Sequence, residues 1–227
     1  MHRFAAALFA GSMMLCSCSE MRESKAKPSV RYQSMVLNPL FDAKTLNGWT
    51  GDPTIWSVKD DAIHGITEHG GQLILSNGDY SDFRLILKSR LVSEKNHLGV
   101  CFWGERKTDW GYGNCILVIP PTGGMWDYHP GKKGPPREKL PHPDFDPGAW
   151  HESEILAHLK TGTIRMAVNG VEVTRYTDED AARLRKGPIG LQIHAGASEV
   201  EYKDIRIEVV PKIDRLVTVR PAAPTAQ

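Results

Sequence analysis

The sequence predicts an all-β fold, two antiparallel sheets packed as a sandwich. Three observations predict it. Apolar and polar residues alternate in many short runs, the period of half-buried strands. Turn-forming pairs such as Asp60-Asp61, Asn77-Gly78 and Asn169-Gly170 punctuate those runs. A helical pattern is confined to the single stretch "DEDAARLRKG".

The first segment stands apart from the sandwich. "MHRFAAALFAGSMMLCSCSE" opens with His2 and Arg3 and runs apolar from Phe4 to Leu15, too short for a spanning helix. It closes on Leu15, Cys16, Ser17 and Cys18, which resemble a bacterial lipobox with cleavage before Cys18 and lipid on its sulfur. An ordinary secretory signal that contains cysteines is the alternative. The expected organisation is a signal peptide over 1–17, a flexible tether over 18–34, a β domain over 35–212 and a disordered tail over 213–227. The expected location is the bacterial cell envelope, as a periplasmic or outer-membrane lipoprotein that meets the membrane only through its lipid.

Strands are then predicted in order. "WSVKDDAIHGI" reads as two short strands around Asp60-Asp61, and "GQLILSNGDYSDFRLILKSRLV" as a strand, a turn and a long strand. "HLGVCFWG" and "CILVIP" follow. The interval Pro120 to Gly148 is Pro- and Gly-rich and long for a plain connection, so it is expected to cover a site or to be mobile. "WHESEILAHL" comes next. "TIRMAVNGVEVTRY" is a hairpin whose Asn169-Gly170 pair suits a type I′ turn, because both residues tolerate positive φ. Asp178 is placed to cap a short helix that Gly187 ends. "GPIGLQIHAG" and "EVEYKDIRIEVV" are the last strands.

Composition narrows the function. The net charge is +1 over 227 residues and no basic stripe appears, which excludes a nucleic-acid partner. Cys101 and Cys115 flank a plausible hairpin, so they are either a cross-strand disulfide or two buried thiols. No G-x-S-x-G, Walker loop, H-E-x-x-H or mature C-x-x-C occurs, so any active site is assembled from separate strands.

In "GPIGLQIHAG", Ile189, Leu191, Ile193 and Ala195 share one face, and Gly190, Gln192, His194 and Gly196 the other. Gln192 and His194 are therefore either ordinary exposed polar residues or the floor of a concave binding surface that the glycines keep open. Trp103 is expected beside them. Trp126, Tyr128, Tyr112 and Trp110 lie in or near loops, as aromatics in sugar clefts do; the plainer reading is that they pin loops to the core. Glu105, Asp109, Asp127, Asp144 and Asp146 offer a general base or a Ca²⁺ site, although as a set they look like ordinary loop charges. No cofactor is demanded, and a divalent metal such as Ca²⁺ is the one candidate.

Taken in order, "LFDAKTLNGWT", "WSVKDDAIHG", "GQLILSNGDYSDFRLILKSRL", "HLGVCFWG", "TGGMWDY", "DPGAWHESEI", "VNGVEVTRY" and "GPIGLQIHAGASEVEYKDIRI" resemble the 3-keto-disaccharide hydrolase domain family from about Leu37 to Val210. The resemblance implies a concanavalin-like jelly roll, a secreted or lipid-anchored bacterial protein, and a concave cleft into which Gln192 and His194 look. Three positions depart from the family pattern. Gly113 stands at an acidic position, Cys115 at a glutamine and Trp103 at an arginine.

The implied substrate is a 3-keto-glycoside. Its ketone acidifies the C2 hydrogen, so that a modest base can start an elimination that water completes. His194 is the expected base and Gln192 the expected donor to a hydroxyl or the enolate oxygen, with Trp103, Trp126, Tyr112 and Tyr128 as substrate contacts. The rival reading is a lectin-like module that holds a glycan without cleaving it, and the missing acid favours it. A structural domain of an envelope assembly is the third.

Overall fold

The structure is a computed structural model that describes residues 35–93, 96–107, 112–131 and 139–219. The signal segment with Cys18, the tether, Asp109 and Trp110 lie outside these residues. Among them no helix is long and apolar enough to cross a membrane.

The strands are β1 (Asn38–Pro39), β2 (Trp49–Thr50), β3 (Trp56–Lys59), β4 (Ala62–Thr67), β5 (Gln72–Ser76) and β6 (Phe83–Leu91). Next come β7 (Leu98–Phe102), β8 (Glu105–Arg106), β9 (Tyr112–Gly113), β10 (Ile116–Val118) and β11 (Met125–Asp127). The last are β12 (His151–His158), β13 (Thr163–Val168), β14 (Val171–Thr177), β15 (Gly190–Ile193) and β16 (Ser198–Val209). Sheet A has the order β14-β13-β12-β6-β16-β4-β3, with β1 also on β16; sheet B has the order β11-β10-β7-β15-β5-β2. All of these pairings are antiparallel. β8 and β9 form a separate small hairpin. This is the sandwich that the alternation predicts.

Each inner face is made by one half of the alternation. Phe83, Leu85 and Leu87 of β6, with Val200 and Tyr202 of β16, meet Val100 and Phe102 of β7 and Leu191 and Ile193 of β15 in one buried cluster. The turns behave as their residues require. Asp60 and Asp61 have φ of 48° and 61°, and Asn169 and Gly170 have 50° and 85°, the double positive φ of a type I′ hairpin. Asn77-Gly78 does not close a hairpin: β5 pairs in sheet B and β6 in sheet A, so the chain changes sheet there. The expected helix is a single 3₁₀ turn, Ala181–Arg183. The long interval from Pro120 is not wholly irregular, since it contains β11.

Two expectations are corrected. The tail is not frayed from residue 213. Arg84 and Glu154, side by side on the outer face of sheet A with fully buried side chains, take hold of it. Arg84 donates to the carbonyls of Arg215 and Ile213, and Glu154 accepts from the backbone N–H of Val217 and Thr218 and from the Thr218 hydroxyl. Leu216 packs on Leu156 and Ala167. The second correction is Trp103. Strand alternation points it outward beside Gln192, but its φ of 55° breaks the alternation, and the indole is 0% exposed. It packs edge-on against Phe102 and donates to the Ser81 carbonyl at 2.7 Å.

Candidate functional site

β15 lies between β7 and β5 at the middle of sheet B, so its outward residues lie on a central strip. Gln192 is opposite Gly99 of β7 and Leu73 of β5. A tyrosine from the other sheet fixes this point. Tyr202 of β16 reaches through the core, donates its hydroxyl proton to the Gln192 carbonyl at 2.6 Å and accepts the Gly99 N–H at 3.2 Å. Burial pushes the Tyr202 phenol well up, so it stays a neutral hydroxyl. Sequence reading missed it, because Tyr202 sits in the core alternation and only its hydroxyl tip acts here.

His194 is half-buried and lies one residue past β15. Its Nδ1 is 2.9 Å from the Ala195 carbonyl, an acceptor, so Nδ1 carries the proton and Nε2 keeps a lone pair. The ring packs against that of His97, just before β7, with centroids 4.2 Å apart and planes tilted by 48°. Burial first, and the nearby His194 second, lower His97 to about 4, so at neutral pH its imidazole is uncharged. His97 is a second residue the sequence did not single out. The Ile193–Leu98 register aligns the two histidines, and that register is set by the fold rather than by any local pattern.

The floor of the face is filled. Cys101, Cys115, Leu117 and Ile119 are buried in a satellite cluster, with Leu73, Tyr112 and Trp126 packed on it. Gly190 does not keep the surface open, whereas a Cβ at Gly196 would meet only Asn96, at 3.4 Å. A Cβ at Gly99 would lie 2.3 Å from a Leu117 methyl and 2.7 Å from Gln192 Oε1, and one at Gly190 would meet Leu75, Cys101 and the Tyr112 ring. Gln192 Oε1 is buried there with no hydrogen-bond partner among the described residues. Cys101 and Cys115 are free thiols rather than a disulfide. The hydrogen bond between them and their burial raise the Cys101 thiol well above its ordinary value.

The aromatic residues divide. Trp126 is half-buried and Tyr128 exposed, and their rings stack 6.2 Å apart at 14°. This leaves an aromatic platform at the β10–β11 edge. Tyr112, expected as a substrate contact, spends its hydroxyl on the protein: it donates to the Pro188 carbonyl at 2.6 Å and accepts the Gly104 N–H at 3.0 Å. That hydroxyl pins two loops together, as the plainer reading of the loop aromatics expects. Gly113, at the acidic position of the family pattern, leaves space that the Lys107 side chain takes, with Nζ 2.6 Å from where a Cβ would be.

Among the described residues the acidic candidates are not gathered into one group of ligands, and Asp109 lies outside those residues. Asp127 is hydrogen-bonded to His129 and Arg183, and Glu105, Asp144 and Asp146 join no metal-ligating group among the described residues. The group with metal-like spacing is His64, Glu199 and Glu201 on sheet A. There Glu199 pairs with His64 and Lys59, and Glu201 with Arg90. Cations of the protein already balance those carboxylates.

Comparison with known proteins agrees with this architecture. The family described as the 3-keto-alpha-glucoside-1,2-lyase-like domain matches residues 37–208. No curated protein matches the sequence. A provisionally assigned glycosyl hydrolase of Parabacteroides distasonis has a similar structure, with a TM-score of 0.59 at 19% identity over 77% of this chain and 100% of the other. A carbohydrate-binding module of Bacillus subtilis gives 0.54 at 15% identity, over 71% and 95% of the two chains. A protein with a galectin-like fold, also from Bacillus subtilis, gives 0.53 at 15% identity, over 77% and 94%.

Proposed function

The chain belongs to the 3-keto-alpha-glucoside-1,2-lyase-like domain family, a carbohydrate-active family, and from that membership we propose that it cleaves 3-keto-glycosides on the outer face of sheet B. The observation that carries the reading is His194 beside Gln192, with Nδ1 held by the Ala195 carbonyl and Nε2 left as an acceptor. In this reading Nε2 removes the C2 proton that the C3 ketone has acidified. The C1–O bond breaks as the C1–C2 double bond forms, and the aglycone leaves with a proton. Water then adds its hydroxyl to C1 and a proton to C2, giving a reducing 3-keto sugar. Gln192 donates to the C3 oxygen as charge develops there. The Trp126–Tyr128 platform offers an apolar face for a pyranose ring.

The test is release of reducing 3-keto sugar from a 3-keto-glucoside by the purified chain. His194→Ala is expected to lower kcat about a hundredfold, a typical share for a positioned base. Turnover by the variant at the wild-type rate removes His194 from the mechanism. A second reading has its own observation: Lys107 fills the place of the family's acid, and Cys115 and Leu117 pave the floor. If wild type binds glycosides yet converts no 3-keto-glycoside, the domain is a binding module. A lipid on Cys18 would hold either one at the envelope, and the intact mass of the mature protein checks it. An unmodified N-terminus discards the anchor.

A further inference from the structure

We propose that His97 and His194 together bind one divalent transition-metal cation of the zinc class on the outer face of sheet B, and that this ion competes with the C2 proton for the His194 lone pair. The binding stands by itself. The competition rests on the reading of His194 as a base.

The fold builds the pair. Ile193 and Leu98 are opposite each other in the β15–β7 ladder, so the next residues along, His194 and His97, face each other from adjacent strands. Both are half-buried. Their ring centroids are 4.2 Å apart and their planes are tilted by 48°. Two imidazoles that share one Zn²⁺, with bonds of about 2.0–2.1 Å, have centroids roughly 4.5–5 Å apart. The pair reaches that spacing by small side-chain rotations. The tilt matters as much as the distance. Imidazole lone pairs lie in the ring planes, and parallel rings cannot aim theirs at one point. Tilted planes meet along a line, and an ion on that line lies in both.

Both rings are in the state that ligation needs. A ligating histidine gives its other ring N–H to a carbonyl or carboxylate, which fixes its tautomer. His194 does so: Nδ1 is 2.9 Å from the Ala195 carbonyl, and Nε2 keeps its lone pair. No hydrogen bond from the described residues reaches the His97 ring. Burial keeps that ring uncharged at neutral pH, so no proton has to leave before a metal binds. Gln192, two residues before His194 on the same face of β15, adds an amide oxygen. Its Oε1 is buried without a partner among the described residues and lies over Gly99, two residues along β7 from His97.

The donors choose the ion. Two neutral imidazoles and an amide oxygen suit Zn²⁺, Ni²⁺ or Cu²⁺, whereas Ca²⁺ and Mg²⁺ take sets of oxygens. The group on sheet A differs in this respect, because Lys59, His64 and Arg90 already sit on the carboxylates of Glu199 and Glu201. At His97 and His194 the lone pairs are not spent on the protein. An ion on His194 Nε2 takes the pair of electrons that the C2 proton needs, so the loaded chain has no base there.

The experiment adds Zn²⁺ to the full chain and follows the histidine ring nitrogens by NMR. Nε2 of His194 and one nitrogen of His97 are expected to shift together and to saturate, and Ca²⁺ at the same concentrations to move neither. His97→Phe and His194→Phe keep an aromatic ring in place and remove its nitrogens. Each should weaken binding at the remaining histidine by at least about tenfold. His64→Ala should leave the response unchanged. The metal site is overturned if Zn²⁺ shifts neither ring, if it shifts one without the other, or if His97→Phe binds as wild type does. With a 3-keto-glucoside as substrate, Zn²⁺ should lower turnover in step with the His194 shift, and His97→Phe should need about tenfold more ion for the same loss. Undiminished turnover with both rings shifted overturns the competition. A wild type that converts no 3-keto-glucoside overturns the reading of His194 as a base, and the ring shifts then decide the metal site alone.

Discussion

The His194 imidazole packs against that of His97 with ring centroids 4.2 Å apart and planes tilted by 48°, and the two flank the Ile193–Leu98 pair of the β15–β7 ladder. Burial does most to lower His97 to about 4, and His194 adds to it. In wild type, His97 should titrate near that value by histidine NMR. His194→Gln removes the smaller cause, so the value should rise only part of the way to 6.5. No movement would show that the rings are not coupled. The sign for stability follows from the direction of the shift. The unfolded chain takes up the proton first, so stability present above about pH 6.5 is lost as pH falls towards 4.

Asp127 gives a second pH window, further into acid. Burial raises its carboxyl, and hydrogen bonds from His129 and Arg183 more than reverse this, to about 2 from 3.8. A lowered carboxyl stabilises the fold above about pH 4, and that contribution goes as pH falls through 2. The shift corresponds to about 2 kcal/mol. Asp127→Asn should lose about that much at pH 7 and flatten the acid limb of an unfolding curve between pH 4 and 2. An acid limb identical to wild type would contradict the role given to this carboxylate.

The tail gives a third test. Arg84 and Glu154 are each 0% exposed at the side chain, and Glu154 is satisfied by Arg84 and by donors from Val217 and Thr218. A chain ending at Lys212 leaves that carboxylate and the Arg84 guanidinium short of partners. Breaking such a group costs on the order of 3–5 kcal/mol. For a domain of this size Tm should fall by roughly 10 °C in thermal unfolding. A shortened chain melting with the full-length protein would show that residues 213–219 only rest on the sheet.

Much of this fold was legible because alternation and turn chemistry are local. Asp60-Asp61 and Asn169-Gly170 announce their hairpins, and Leu191 and Ile193 announce the core face of β15. What failed was non-local. Trp103 obeys the alternation in sequence, yet one residue of positive φ turns it into the core. Arg84 and Glu154 look like solvent-facing polar residues until a segment more than 50 residues further on covers them. Gly190 and Gly196 suggested an open surface, but the space beside Gly190 belongs to Leu75, Cys101 and Tyr112. Gln192 and His194 could be picked out as a pair, whereas Tyr202, which fixes the backbone beneath them, comes from the opposite sheet.

The last prediction isolates the placing of Gln192. Gly99 is the residue opposite it, and an added Cβ would come within 2.7 Å of Gln192 Oε1 and 2.3 Å of Leu117 Cδ1. Both are ends of flexible side chains, and Gly99 is not among the positive-φ glycines, so the backbone tolerates alanine. Gly99→Ala should therefore fold, at a cost of about 1–3 kcal/mol for the overpacking, and should push the Gln192 amide off its position. If that amide steadies charge on the C3 oxygen, kcat on a 3-keto-glucoside should fall as far as it does in Gln192→Ala, and the double variant should be no worse than either. Additive losses would mean that Gly99→Ala acts through the Leu117 floor rather than through Gln192. Full kcat in Gly99→Ala beside a crippled Gln192→Ala would mean that the amide works from a different position than the one it holds over Gly99.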